Sequence, residues 1–332
     1  MIFDTHSHFY GETLFRHMAA RGDVPRVVAE GGRRFMVTPT SRFELAGGFV
    51  SLDERLGWMD AQGIDRQLIT FPGALGPDVL PIGESLALVR DVNDELAATV
   101  AGHPGRFAAL AGLPLASLDH AIAELERSVR VLRLPGAIIP SNYFHSLAGI
   151  AALEPLLVAA DRLGAHLMLH PGQRHHESLE PKVWPDLAMH RASTVELQGG
   201  ITHALLSLIH SEALGRFPHT TWQVVNLGGN FPFVVERMDH IVMTRDPAAP
   251  KPSELLGDIV FDCASLGPRA LEMAVGVFGA DRVMFGTDYP IFTSDVSARA
   301  LAGARIGEDA RAMVASGTAL AVLGRNARRR LG

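Results

Sequence analysis

Eight short, nearly continuous apolar runs recur along the chain, each followed by a segment with helical spacing. They fall at Ile2–Thr5, Gln67–Phe71, Phe107–Gly112, Gly136–Pro140, His166–His170, Trp222–Asn226, Ile259–Asp262 and Val283–Thr287. Runs without polar alternation are what parallel strands buried on both faces require. The helices between them are equally legible. Ser51-Leu52-Asp53-Glu54 is a capping box opening a helix that stops near Gly63. Glu84–Gly102, Leu118–Val131, Glu154–Leu163 and Ile201–Phe217 follow, with Ile122, Leu125 and Val129 on one face of the second. Pro268–Gly279 has proline in its first turn and glycine at its end. A last helix starts near Glu308. Eight β/α alternations predict an α/β protein of the (β/α)8 TIM barrel type. A doubly wound open sheet is the competing architecture, but no glycine-rich phosphate turn follows the first strand.

Two connections exceed the usual length. Phe9–Phe49 follows strand one, and Pro171–Gly200, rich in His, Glu and Pro, follows strand five. Both leave C-terminal strand ends, where long insertions commonly form substrate lids or subunit contacts. With no linker, repeat or low-complexity tract, residues 1–332 are expected to form a single domain.

Composition bounds the partners. Of 332 residues, 47% are hydrophobic and 20% charged, a balance that supports a large core in a soluble protein. The formal charge of −6 and the lack of a long basic block argue against nucleic acid. Arg328-Arg329-Arg330 reads as the solvated end of the last helix. The one cysteine, Cys263, excludes an intrachain disulfide. No apolar run reaches a membrane span, and no hydrophobic leader precedes the first strand, so a cytoplasmic protein without a membrane partner is expected.

The chemistry lies at strand ends. In Asp4-Thr5-His6-Ser7-His8, the histidines stand at i and i+2 and so share one side of a strand. His170 ends strand five, and Asp288 follows strand eight in Gly286-Thr287-Asp288-Tyr289-Pro290. A closed barrel brings all four to its axis. Alone, His170 would suit a core position and Asp288 a turn. Together, three imidazoles and a carboxylate suit one divalent ion, zinc first, with manganese or iron as options.

These residues carry a family resemblance that covers nearly the whole chain. Besides the segments above, its marks are Leu56-Gly57-Trp58-Met59-Asp60 with Gly63-Ile64-Asp65, Val92-Asn93-Asp94-Glu95-Leu96, and His103-Pro104-Gly105-Arg106-Phe107. Gly112-Leu113-Pro114, Arg216-Phe217-Pro218 and Gly228-Gly229-Asn230-Phe231-Pro232 complete them. The chain resembles the amidohydrolase superfamily, and within it the amidohydrolase-2 group, which includes the aminocarboxymuconate semialdehyde decarboxylases. The resemblance implies a distorted barrel and one divalent metal held by His6, His8, His170 and Asp288. It implies non-oxidative decarboxylation of a small aromatic or unsaturated carboxylic acid, with hydrolysis of a lactone or related ester or amide as the alternative. A homodimer is also implied, in which Arg237 reaches a neighbouring subunit's substrate carboxylate.

One position departs from the family. Where a histidine normally precedes the glycines after strand six, this chain has Asn226. Asparagine orients groups by hydrogen bonds but accepts no proton near neutral pH. Either another group, Asp288 or one of His175, His176, His203 and His210, acts as base, or the chemistry needs no histidine there, or the protein binds metal with little activity. In the decarboxylase reading, Asp288 binds the metal and moves protons, Asn226 hydrogen-bonds substrate or water, and Phe9, Tyr10 and Phe292 wall the pocket. The expectation closest to the sequence is about one divalent ion per chain, lost when His6 and His8 are both changed to alanine. Elemental analysis finding that double variant fully metallated would remove the site.

Overall fold

A computed structural model of the chain describes residues 1–38, 42–45, 49, 51–175, 177 and 186–331, with side chains of 326–331 and of Leu75 left aside. The predicted tail Arg328-Arg329-Arg330 and His176 therefore lie outside the described side chains. Eleven strands are present among the described residues: β1 (Phe3–His8), β2 (Arg26–Glu30), β3 (Arg33–Val37), β4 (Arg42–Glu44), β5 (Arg66–Thr70), β6 (Phe107–Leu110), β7 (Gly136–Pro140), β8 (His166–His170), β9 (Thr221–Val224), β10 (Val260–Asp262) and β11 (Val283–Met284).

All eight predicted strands are found, as β1 and β5 to β11. They pair in parallel as β1-β5-β6 and β11-β10-β9-β8-β7. Two bridges, Ala111 to Ala137 and Ser7 to Tyr289, join the sheets into a closed barrel. At the second seam Thr5 N–H donates to Phe285 O at 2.8 Å and His8 N–H to Tyr289 O at 2.7 Å. The barrel is distorted where the register of β1 on β5 shifts between Asp4 and Ser7, and where β11 is reduced to two residues.

The strands not foreseen, β2, β3 and β4, form an antiparallel sheet within the insertion after β1. It carries arginine–glutamate pairs, including Arg42 to Glu30 at 2.5 Å and Arg34 to Glu12 at 3.0 Å. Such half-exposed strands lack the apolar continuity by which the barrel strands were read.

The helices follow their signals. Ser51 Oγ accepts from Glu54 N at 3.2 Å, and the Leu52–Gln62 helix ends at Gly63, whose φ of 68° favours glycine. Leu118–Arg130 buries Leu125 and Val129 against the barrel. One expectation is corrected: Ile201–Phe217 is not a continuous helix. A helix over Leu197–His210 stops at extended Ser211, and a short turn over Ala213–Arg216 follows. Among the described residues, no helix is long and apolar enough to cross a membrane.

A carboxylate in the turn after β5 has no ion pair among the described residues. Asp78 packs against Gly73, where an added Cβ would lie 2.0 Å from Oδ1, and against Gly172, at 3.1 Å from Oδ2. Burial pushes its pKa from 3.8 up to about 7. A folded-state value above the unfolded one leaves the fold unpenalised below pH 3.8 and withdraws stability as pH rises through 7. Asp78→Asn is therefore expected to stabilise the protein by about 2 kcal/mol at pH 8, and by almost nothing at pH 4. Paired denaturant titrations at the two pH values check this, and an equal gain at both would refute it.

Candidate metal centre

Barrel closure brings the four sequence-predicted ligands together. His6, His8, His170 and Asp288 each offer a ligand atom, and these atoms all lie within 4.8 Å of one another. Asp288 Oδ1 stands 3.6 Å from His6 Nε2 and 3.2 Å from His8 Nε2. The rings meet edge-on, with centroids 5.4 Å apart for His6–His8, 5.1 Å for His6–His170 and 4.6 Å for His8–His170.

The outward nitrogen of each ring is tied back, which fixes what the inward one presents. His6 Nδ1 lies 2.9 Å from Asp262 Oδ1, and a carboxylate can only accept, so Nδ1 carries the proton. Thr70 Oγ1 already donates to Ser7 O at 2.9 Å, so at 2.9 Å it accepts from His8 Nδ1–H. His170 Nδ1–H donates to Pro171 O at 2.9 Å. All three Nε2 lone pairs therefore face the same space, the arrangement that outer-sphere hydrogen bonds impose on metal-binding histidines.

This space fits a cation. His6 Nε2 is buried without a hydrogen-bond partner among the described residues, which is costly unless something electrophilic meets it. Burial, then the neighbouring His8 and His6, hold His170 well below the usual imidazole range, and burial lowers His8 too, so both stay neutral ligands. For His6, burial disfavours charge, but Asp262, Asp288 and Asp4 outweigh it and lift the ring to about 9. The carboxylates that hold a proton on His6 would equally favour a divalent ion in its place.

Two buried networks position the ligands. Asp262, wholly buried at the end of β10, also accepts from Gln223 Nε2 at 2.8 Å and from the backbone N–H groups of Asn226 and Ala264, each at 3.2 Å. Asp4, wholly buried in β1, accepts from Thr287 N at 3.0 Å, Thr287 Oγ1 at 2.6 Å and Gln67 Nε2 at 2.8 Å. Arg55 in turn donates to Gln67 Oε1 at 2.7 Å and to His8 O, with its guanidinium 4.7 Å over the Tyr289 ring. Trp58 also stacks on the Tyr289 ring, with centroids 3.9 Å apart. Gly286 is required by crowding: an added Cβ would lie 3.0 Å from His6 Cβ and 3.2 Å from Asp262.

A cavity of about 280 Å³ opens on this cluster. Phe71, Ile138, Leu197, Ile291 and Phe292 supply apolar wall, and His8, His170, Asp288, Tyr10, Asn226 and Ser265 supply polar groups. Asn226, Ser265 and Asp288 hold left-handed backbones, with φ of 51°, 56° and 61°. Such conformations cost energy outside glycine and concentrate at functional sites. The Asn226 amide is oriented: Nδ2 donates to Ala264 O at 3.1 Å and to Ser265 Oγ at 3.3 Å, which leaves Oδ1 as an acceptor.

Of the predicted substrate-binding residues, Tyr10 and Phe292 line the cavity, but Arg237 does not. It is exposed on the helix Phe231–Arg245 and takes no part in its own chain's cavity wall. Phe9 is buried but does not line the cavity either. Of the alternative bases, His203 and His210 are exposed on their helix instead of packing on the barrel, and His175 lies off the cavity wall. Sequence reasoning gave no role to Asp262, Asp4, Thr70, Gln67 or Arg55. A signal existed for Asp262, a carboxylate closing a predicted strand at the active end of a barrel.

The sequence profile of the family described as Amidohydrolase matches residues 3–325. A 2-amino-3-carboxymuconate-6-semialdehyde decarboxylase of Dictyostelium discoideum is 29% identical over 245 residues, spanning 72% of this chain and 66% of that protein. A gamma-resorcylate decarboxylase of a Rhizobium species is 26% identical over 263 residues, spanning 73% of this chain and 78% of its own. Among solved structures, a dihydroxybenzoic acid decarboxylase of a Polaromonas species, with bound manganese and the inhibitor 2-nitroresorcinol, is similar at a TM-score of 0.73 and 21% identity. That similarity covers 98% of this chain and 97% of the other, and shows the shared distorted barrel.

Asp262→Asn removes the negative charge that holds the His6 tautomer and sets an amide NH2 against either His6 Nδ1–H or Gln223 Nε2–H. Metal affinity is expected to fall about 10- to 100-fold, read by chelator competition on folded protein. Unchanged affinity would deny Asp262 that role.

Proposed function

The chain belongs to the amidohydrolase family, and from that membership we propose that it is a metal-dependent, non-oxidative decarboxylase of a small aromatic or unsaturated carboxylic acid. The observation that carries the reading is the small, largely apolar cavity closing over four convergent ligand groups. Its volume suits a single ring, and its walls are mostly apolar. The related proteins from Dictyostelium and Rhizobium, decarboxylases by name, support the same reaction class.

His6, His8, His170 and Asp288 would hold the ion. Manganese leads as its identity, because it is the ion bound in the Polaromonas structure, while zinc suits the same donor set. When bound, the ion supplies a Lewis acid that polarises a substrate oxygen.

The reaction replaces a carboxylate by hydrogen. A proton adds to the carbon bearing the carboxylate, the C–C bond breaks, and its electron pair returns to the ring or diene as CO2 departs. Asp288, on the cavity wall, is the group we assign to hold and deliver that proton. Asn226 cannot do so; its free Oδ1 instead accepts a hydrogen bond from substrate or water and fixes its orientation. The ring of Phe292 and the flanking Ile291 hold the substrate plane. Arg237 is exposed, so in this reading it binds a carboxylate only across a homodimer interface, in a neighbouring chain's cavity.

Metal-loaded protein is expected to release one CO2 per molecule consumed from a panel of hydroxylated benzoates and dienoic acids, and to leave lactones intact. Acid release from lactones without CO2 would favour hydrolysis and overturn the proposal. Asn226→His is expected to fold, because histidine tolerates a left-handed backbone better than most residues. It should lower kcat about tenfold by breaking the tether to Ala264 and Ser265. A faster variant would show that this position wants a base.

A further inference from the structure

Tyr10 lies two residues beyond His8, where the chain leaves β1. It is 1% exposed and lines the cavity. Its ring packs on Phe49, at 4.9 Å between centroids. Yet no hydrogen bond to its hydroxyl is found among the described residues. Buried tyrosine hydroxyls nearly always have a partner, because leaving one unpaired forfeits the hydrogen bonds it makes in water.

Of the other polar groups of the cavity, Asn226 Oδ1 is free but can only accept. Nδ1 of His8 and of His170 are hydrogen-bonded, and their Nε2 atoms belong to the ligand cluster with Asp288. Asn226 Nδ2 and Ser265 Oγ bond one another. Gln198 Oε1 is also unpaired, but it is wholly covered and meets no ligand as it stands. Tyr10 therefore offers an uncommitted hydroxyl beside the cluster, and a phenol keeps its proton at neutral pH.

We propose that the Tyr10 hydroxyl is a specificity-determining group that donates a hydrogen bond to an oxygen substituent on the substrate ring. The inference rests on the decarboxylase reading for its ligand class and deepens it. The chemistry gives such an oxygen a purpose: a hydroxyl conjugated with the carboxylate-bearing carbon supplies the electron density that lets a proton add there. A site built to pair an oxygen discriminates strongly against analogues without it, since the protein group is then left buried and unpaired.

The test is ligand binding to metal-loaded protein by calorimetry, with benzoate, its three monohydroxy isomers and the matching methyl isomers. In the wild type, at least one hydroxybenzoate is expected to bind roughly tenfold more tightly than benzoate and than its methyl counterpart. In Tyr10→Phe, with metal content and melting temperature checked as unchanged, that isomer should fall to the affinity of benzoate, while benzoate itself shifts less than about twofold. The methyl comparison needs no variant, so it can overturn the proposal even if Tyr10→Phe folds poorly. A wild type in which no hydroxyl isomer exceeds benzoate, or an advantage that survives in Tyr10→Phe, overturns the proposal. Hydroxyl preference without CO2 release removes the decarboxylase reading and leaves Tyr10's role standing. CO2 release without the preference removes Tyr10's role alone.

Discussion

Two wholly buried carboxylates, Asp4 and Asp262, hold this site in shape. Burying a charge is costly unless every lone pair finds a donor, and both are supplied from several segments at once. Asp4 binds β1 to the Thr287 turn, and Asp262 binds β10 to His6 and to the turn carrying Asn226. Each carboxylate thus welds strands that are distant in sequence. Removing either would leave donors of several strands unpaired in the core, a larger loss than any one bond represents.

That welding sets the strand ends from which the candidate ligand atoms converge. The Nδ1 partners, Asp262, Thr70 and Pro171, are ordinary parts of the barrel and its loops, and they orient the imidazoles. The left-handed backbones at Asn226, Ser265 and Asp288 are the strained counterpart of this order. They turn three side chains sharply off strand ends into one cavity, and the hydrogen bonds of the two carboxylates help to hold them there. Arg55 extends the same logic outward. It is 1% exposed and clamps the carbonyl of His8 while lying over Tyr289, so a single cation braces both segments that carry ligands.

The positioning of Asn226 bears on its chemistry. Its amide hydrogens are consumed by Ala264 and Ser265, which leaves a fixed acceptor where a histidine would bring a proton carrier. In the proposed reaction this leaves acid–base work in the cavity to Asp288. The one cationic side chain foreseen for the substrate, Arg237, is exposed and takes no part in its own chain's cavity wall. A helix periodicity could place Arg237 on an exposed face but could not say which cavity, if any, it serves.

The sequence by itself determined the barrel and the four candidate ligands at its mouth. Continuous apolar runs demand burial on both faces, and the period of two in His6-Ser7-His8 puts both imidazoles on one side; these are local properties of a strand. The sheet of β2, β3 and β4, the break at Ser211 and the outward face of His203 and His210 were illegible, because they depend on what each segment packs against. Only the tertiary structure decided which carboxylates serve the ligands. Asp4, Asp262 and Asp288 look alike along the chain, and only barrel closure makes two of them buried braces and leaves the third facing the cavity.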